Sequence, residues 1–193
     1  VHFGAEYHTG KYGWTMDLET IKRSVDWQLK ALGTDYIDFG FVHCIDELSD
    51  LEKAAEGGIL EYIRQLQKAG TVKHIGLSSH TPAVVEKALD LGFPEMVMFS
   101  INPAYDYRHG EYAIGGVDER AALYRRCEAE GVGISVMKPF SGGQLLRDKT
   151  SPFGHKLTQY QCLQYALDKP GVVTVLPGVK DREDLKGILG FLD

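Results

Sequence analysis

The sequence predicts an α/β protein in which parallel strands alternate with helices. Five short apolar runs, rich in β-branched and aromatic residues, are separated by segments whose apolar residues recur three and four positions apart. Such runs are typical of strands buried on both faces, and the spacing between them is typical of amphipathic helices. A regular strand–helix alternation requires crossover helices, in either an open sheet or a (β/α)8 barrel.

The predicted strands share an apolar centre and end in, or are followed by, polar residues or glycine. They lie at 36–43, 72–78, 96–102, 133–138 and 172–177, and the tail of a sixth is expected at Val1-His2. Five strands are too few to close a barrel of eight. We therefore expect a single domain over residues 1–193, a partial barrel that covers about strands 4–8 and the end of strand 3 and is incomplete at its N-terminus.

Capping residues and glycine stops mark the predicted helices. Polar caps stand at the helix starts, and Thr158 and Gln161 form a capping box. The last helix is expected to bury a stripe formed by Leu185, Ile188 and Leu189. The predicted helix starts are Asp17, Gly58, Thr81, Asp118, Thr158 and Asp181.

The loops between the predicted elements differ greatly in length. Every helix-to-strand loop is short, whereas three strand-to-helix loops are long, at 44–57, 103–117 and 140–157. The long loops therefore follow the carboxyl ends of the strands, where α/β proteins place their sites. No G-x-G-x-x-G sequence follows a strand, which favours the barrel over the doubly wound sheet.

The composition argues against several classes of protein. The chain has 193 residues, 44% of them hydrophobic, and a formal net charge of −6. No apolar run has the length of a membrane span, and no basic patch suits nucleic acid. Three scattered cysteines (Cys44, Cys127, Cys162) show neither a disulfide pattern nor a zinc pattern. We expect a cytoplasmic protein with no nucleic-acid or membrane partner.

Candidate chemical groups stand where the strands end. His43 closes the first run, where an imidazole can hydrogen-bond a substrate oxygen, although a packing role is about equally consistent. Asp46 is interpreted as a helix-capping or solvated residue. Cys44 is interpreted as structural because neighbouring side chains on a strand point apart. His43, His74 and His80 lack the spacing of metal ligands, so no metal site is predicted.

Glycines and cations after the last two strands suit a bound anion. The Ser141-Gly142-Gly143 segment offers bare backbone amides to a phosphate. Gly178, Lys180 and Arg182 follow the last strand, near the usual phosphate site of a barrel. The residues by themselves leave open a flexible glycine turn with solvated cations. They also leave open a phosphate-recognising barrel isomerase or lyase.

Four motifs, in order along the chain, resemble those of the aldo-keto reductases. GTDYIDFGFVH at 33–43, followed by Asp46, is similar to the family's G-x-D-Y-I-D-x-x-x-x-H segment. Residues 72–79 resemble V-x-x-I-G-x-S-N, residues 140–146 resemble P-L-x-x-G-x-L, and residues 175–185 contain an I-P-G-like segment. Met137-Lys138-Pro139 and residues 100–105 resemble a bacterial branch that often carries a ferredoxin-like tail.

The resemblance implies a (β/α)8 barrel oxidoreductase that interconverts a small carbonyl substrate and its alcohol with NADPH, or alternatively NADH. It implies that His43 orients the substrate oxygen. Ser79 replaces the family's asparagine, while Met98 and Met137 stand where a glutamine and a stacking aromatic ring are usual. The residues implied in cofactor binding are Ser78, Ser79, Lys138, Ser141, Gly142, Gly143, Leu145, Gly178, Lys180 and Arg182.

The family's catalytic aspartate, tyrosine and lysine have no assigned counterpart in this sequence. They lie on strands two and three, and the chain begins near the end of strand three. His2 stands near the end of the lysine's strand, while Tyr7 and Tyr12 match no motif and are interpreted as substrate-loop or surface residues. The leading hypothesis is the larger, C-terminal part of a reductase. The alternative is a non-catalytic partial barrel that associates with another chain or a second copy through open strand edges.

Overall fold

A computed structural model describes residues 1–7 and 10–192 and has two compact units. The first unit is Val1–Val97 and the second is Met98–Asp193, so the division falls inside the strand Met96–Ser100. In both units strands alternate with helices. The α/β class and the strand–helix order of a partial (β/α)8 barrel, predicted from the sequence, are confirmed.

The first unit contains the strands that carry His43 and Ser79 at their carboxyl ends. β1, β4 and β5 are adjacent and parallel, whereas β2 and β3 form a separate antiparallel hairpin that the sequence analysis did not predict. The elements are β1 (His2–Phe3), β2 (Ala5–Glu6), β3 (Gly13–Trp14), α1 (Leu18–Leu32), β4 (Ile37–Val42), α2 (Leu48–Glu56), α3 (Ile59–Lys68), β5 (Val72–Ser79) and α4 (Pro82–Asp90).

Glycines on the strands allow aromatic rings to pack directly on the backbone of the first unit. A Cβ atom on Gly40 would lie 2.4 Å from the ring of Phe3, and one on Gly76 would lie 2.6 Å from the ring of Phe41. Both distances are too short for any side chain larger than hydrogen. The two glycines therefore allow the Phe3 and Phe41 rings to pack directly against the strands.

The second unit contains the other three strands of the barrel order. β7 and β8 pair in parallel, with a register irregularity between Ile134 and Ser135. The elements are β6 (Met96–Ser100), α5 (Pro103–Asp106), α6 (Val117–Glu130), β7 (Gly133–Met137), a 3-10 segment (Ser141–Leu146), α7 (Gln159–Leu167), β8 (Val172–Val175), α8 (Arg182–Leu189) and a 3-10 turn (Gly190–Leu192).

The three long loops contain helical structure that the sequence analysis missed. α2 lies inside the predicted loop 44–57, α5 inside 103–117, and the 3-10 segment inside 140–157. Two predictions about the helices α6 and α8 were also wrong. Asp118 lies within the first turn of α6, whose amino end begins after Gly116. No residue of α8 is buried, and Leu185 and Leu189 are 44% and 51% exposed, because α8 packs mainly on α7 and the following turn.

A buried ionic network holds the long loop that follows β6. Asp106 accepts hydrogen bonds from Arg120 Nε at 2.7 Å, from the Tyr124 hydroxyl at 2.7 Å and from the Tyr165 hydroxyl at 2.8 Å. The Arg120 guanidinium also donates to the backbone carbonyls of Ser100 and Ile114. Burial, followed for Tyr165 by the Asp106 charge, raises the pKa of both tyrosines, which therefore stay protonated as donors.

Within the part of the chain that the structure describes, no helix is both long enough and apolar enough to cross a lipid bilayer.

Candidate active site

His43 follows the last residue of β4 and is hydrogen-bonded to a tyrosine from the β2–β3 hairpin. The Tyr12 hydroxyl lies 3.0 Å from His43 Nε2, with the two rings nearly perpendicular. The hairpin is held in place because Trp14 Nε1 donates to the His43 carbonyl at 2.9 Å. Tyr12 was interpreted from the sequence as a substrate-loop or surface residue. The structure shows it 57% exposed and in contact with the predicted functional histidine.

His2, at the start of β1, also lies against the His43 imidazole. The His2 and His43 ring centroids are 4.5 Å apart, in an edge-to-face arrangement, and His2 also stacks on Phe41. Burial and the neighbouring His43 lower the pKa of His2 to about 4. Burial, followed by His80, also lowers the pKa of His43, although Asp46 opposes the shift. Both imidazoles are therefore uncharged at neutral pH.

Asp46 links the loop after β4 to the end of β5. Its carboxylate accepts the His80 backbone amide at 2.6 Å, His80 Nδ1 at 2.9 Å and the Ser79 hydroxyl at 3.3 Å. Burial tends to raise the pKa of Asp46, but the hydrogen bonds from His80 outweigh it and the pKa lies below its usual value. The interpretation of Asp46 as a capping or solvated residue was wrong, because its partners come from a different strand end.

Cys44 lies beside Asp46 and His80 and adds a sulfur atom to their group. Cys44 adopts a left-handed backbone with a φ of 54°, and its Sγ lies 3.7 Å from Asp46 Oδ2. Cys44, Asp46 and His80 place three metal-ligating atoms within 4.8 Å of one another. Among the residues that the structure describes, this group has the arrangement needed to hold a metal ion, but the distances shown are those of hydrogen bonds among its members. The prediction of no metal site stays a prediction.

Ser78 and Ser79, predicted to hold a nicotinamide carboxamide, end β5 and are buried. Their residues are 2% and 0% exposed. The Ser79 hydroxyl is engaged with Asp46 and, at 3.1 Å, with the backbone amide of Thr81. Ser79 thus helps to fix the turn into α4. Its proposed contact with a cofactor remains a prediction.

The second unit contains a cavity of about 610 Å³ that includes half of the predicted cofactor residues. This volume is in the range of small-molecule sites. Predicted residues among its lining are Lys138, Gly142, Gly143, Gly178 and Lys180, and Arg147 adds a cation that the sequence analysis missed. The other predicted residues of this unit, Ser141, Leu145 and Arg182, do not line the cavity within the described chain. Ser141 and Leu145 are buried, and Arg182 begins α8.

The glycine pair gives the cavity an open backbone wall. Gly142 and Gly143 have φ values of 65° and 87°, and a Cβ added to either would have no atom within 4 Å. The Gly143 amide donates to the Phe140 carbonyl at 2.9 Å, so the Gly142 amide is the one of the pair that can approach an anion closely. The residues present therefore fit the diphosphate of a dinucleotide.

The amino end of α8 carries its own anion. Asp181 accepts the amides of Glu183 and Asp184 at 3.0 and 2.9 Å, and Asp184 accepts the amide of Lys180 at 3.2 Å. The two carboxylates therefore occupy the amide groups that a phosphate would otherwise bind at a helix start. A phosphate in this cavity would instead meet Lys138, Lys180 and Arg147, together with the glycine backbone.

Lys138 stands at the carboxyl end of β7 in a left-handed conformation, with a φ of 55°. Its ammonium lies 3.1 Å from the ring centroid of Tyr112, and its carbonyl accepts the side-chain amide of Asn102 at 2.9 Å. Tyr112 and Asn102 both come from the region of the long loop after β6. That loop therefore fixes the cation in the lining of the cavity.

The fold and these clusters define the chain as part of an α/β barrel protein with its polar groups at the carboxyl ends of the strands. The chain belongs to the aldo/keto reductase family, whose pattern it matches over residues 8–161. It is 23% identical, over 143 residues, to L-glyceraldehyde 3-phosphate reductase of Escherichia coli, a match that covers 74% of this chain and 38% of the relative. It is 26% identical over 138 residues to an aldo-keto reductase of Fusarium vanettenii, covering 69% of this chain and 34% of the relative.

Solved structures show the same fold. A holo-form aldo-keto reductase from Bacillus halodurans superposes with a TM-score of 0.75 at 22% identity, and covers all of this chain and 66% of its own. An aldo-keto reductase from Pseudomonas aeruginosa gives a TM-score of 0.69 at 21% identity, with the same coverage. The chain thus spans about two fifths or less of the length of these curated relatives, and about two thirds of the length of the chains in these structures.

Proposed function

We propose that the chain is the part of an NAD(P)H-dependent oxidoreductase that carries the cofactor's phosphate site and the substrate-orienting histidine, and that the enzyme interconverts a carbonyl and an alcohol. Family membership supports the reaction type, since the named relatives are reductases. The observation that carries the proposal is the glycine-walled cavity with Lys138, Lys180 and Arg147 in its lining.

When bound, the nicotinamide supplies a hydride to the carbonyl carbon. The residues of this chain hold the cofactor and polarise the carbonyl group of the substrate. The Gly142 amide binds the diphosphate, Lys138 neutralises its charge, and Lys180 pairs with the extra phosphate of NADPH. A carbonyl oxygen that gains negative charge needs a donor, and the Tyr12–His43 pair offers the Tyr12 hydroxyl at a solvent-facing position.

A direct test measures NADPH binding by isothermal titration calorimetry on wild-type protein, Gly142→Asp and Gly142→Asn. The left-handed backbone of Gly142 suits both new residues, and the space around its Cβ position is empty. We expect saturable wild-type binding, a loss of about tenfold or more for Gly142→Asp through charge repulsion, and a smaller loss for the neutral Gly142→Asn. An absence of saturable wild-type binding would reject the proposed function.

A phosphorylated sugar without the nucleotide serves as the competing ligand in the same titration. Binding of the sugar phosphate with no binding of NADPH would favour a phosphate-recognising isomerase or lyase, the alternative left open by the sequence.

A further inference from the structure

The Tyr12–His43 pair has a direction of hydrogen bonding that decides which group meets the substrate. A neutral imidazole carries one proton, on Nε2 or on Nδ1. If Nε2 accepts from the Tyr12 hydroxyl, the phenol proton points inward and Nδ1 carries the imidazole proton. If Nε2 donates to the phenol oxygen, the Tyr12 hydroxyl proton is left to point toward solvent.

Burial favours the second arrangement. His43 Nδ1 is buried and, within the described residues, has no hydrogen-bond partner. A proton on Nδ1 would therefore be a buried donor without an acceptor, and among buried backbone groups such orphaned donors are rarer than under-satisfied acceptors. Among the described residues, the neighbouring His2 does not supply that acceptor, because its ring makes an edge-to-face contact and its own Nδ1 is also buried and unpartnered.

Tyr12 is at the same time exposed and held in place. Its residue is 57% exposed, so a small molecule can reach the hydroxyl from solvent. Its ring contacts Tyr7 at a centroid distance of 5.8 Å, and Tyr7 stacks on Trp27 of α1. Trp14 anchors the same hairpin on the His43 carbonyl. These contacts hold the phenol beside His43.

We propose that Tyr12 is a further substrate-binding residue, whose hydroxyl donates to the carbonyl oxygen while His43 Nε2–H donates to the phenol oxygen behind it. This assignment rests on the proposed function and deepens it. His43 acts through Tyr12, and the substrate oxygen meets a phenol from the hairpin that follows β1. The matching substrate is a small aldehyde or ketone that can approach an exposed hydroxyl.

The first test determines which tautomer His43 adopts, and this measurement requires no enzyme activity. Nitrogen-15 NMR of histidine-labelled protein near pH 7.5 reports which ring nitrogen carries the proton, in wild-type protein, Tyr12→Phe and Tyr36→Phe. Tyr36 is a matched control, since it is 44% exposed and precedes the opposite end of β4. We expect His43 protonated on Nε2, with its signal shifted in Tyr12→Phe and unchanged in Tyr36→Phe. A proton on Nδ1 in the wild type would overturn the proposed direction.

The second test is the reduction of 4-nitrobenzaldehyde, with NADPH binding measured in parallel. We expect Tyr12→Phe to lose about 100-fold in kcat/KM, as the loss of one oxyanion donor predicts. Its NADPH Kd should stay within about twofold of the wild type, and Tyr36→Phe should match the wild type in both quantities. Normal turnover by Tyr12→Phe would overturn the substrate role while leaving the proposed function intact. A wild-type protein that fails to bind NADPH defeats the proposed function, and the tautomer still decides the direction.

Discussion

Two polar clusters, one in each unit, differ in how completely their hydrogen bonds are satisfied. The Asp106 network of the second unit is buried, and both carboxylate oxygens have protein donors. The cluster around His43 contains two buried ring nitrogens without a partner in the described chain, and its tyrosine is exposed. A saturated buried network fixes a loop and has no capacity for a ligand. An incompletely paired cluster at the surface retains that capacity at a cost in stability.

The largest expected effect tests the structural side of this comparison. Arg120→Met leaves the buried Asp106 carboxylate without its cation, and Arg120 itself is fully buried. We expect the free energy of unfolding, measured by urea denaturation, to fall by about 3–5 kcal/mol.

The exposed neighbour Arg125 provides the control, since Arg125→Met should change the free energy of unfolding by no more than about 0.5 kcal/mol. An Arg120→Met protein as stable as Arg125→Met would show that the network does not hold the loop.

The next prediction concerns the functional side. His43→Ala removes the imidazole behind Tyr12 and should lower kcat for aldehyde reduction by about 100-fold, with little change in the NADPH Kd, because the imidazole serves the substrate. His74→Ala is the control, as His74 is exposed and paired with Glu95 at 2.7 Å. An equal loss of turnover and cofactor affinity in His43→Ala would contradict the assigned role.

A smaller effect should appear as a pH dependence of stability. His2 has a pKa of about 4 in the folded chain, against an ordinary value of 6.5. Between pH 4 and pH 6.5 the unfolded chain therefore carries a proton on His2 that the folded chain lacks. The free energy of unfolding should therefore decrease as the pH falls from about 6.5 to 4, by on the order of 2 kcal/mol. Denaturation curves at several pH values measure it.

His2→Phe retains an aromatic ring against Phe41 but cannot take up a proton, so its stability should be flatter over the same pH range. His74→Gln removes an exposed histidine and should keep the decrease. If His2→Phe loses stability as steeply as the wild type, the buried imidazole is not its source.

The smallest expected effect separates the two nicotinamide cofactors. Lys180 is exposed in the lining of the cavity, and we expect Lys180→Met to weaken NADPH by about tenfold and to leave NADH nearly unchanged, since the extra phosphate is the difference between them. Lys186→Met is the control on α8, where Lys186 is paired with Glu183. Equal weakening of both cofactors, measured calorimetrically, would place Lys180 away from the extra phosphate.

The sequence determined the strand–helix order, because the relevant signals are local. Apolar runs, the capping box at Thr158 and the cap at Asp181 each depend on a few neighbouring residues, and the structure confirms them. The same local patterns located the glycine pair and Lys180, which the fold brings into one cavity.

Only the tertiary structure decided the partners of the site residues. Tyr12 meets His43 across 31 positions, and Asp46 meets His80 across 34, so no periodicity or motif in one segment predicts either contact. Tertiary packing also decided that Leu185 and Leu189 stay exposed although their spacing is that of a buried face. A helix pattern shows which side is apolar, whereas burial depends on what the rest of the chain places against that side.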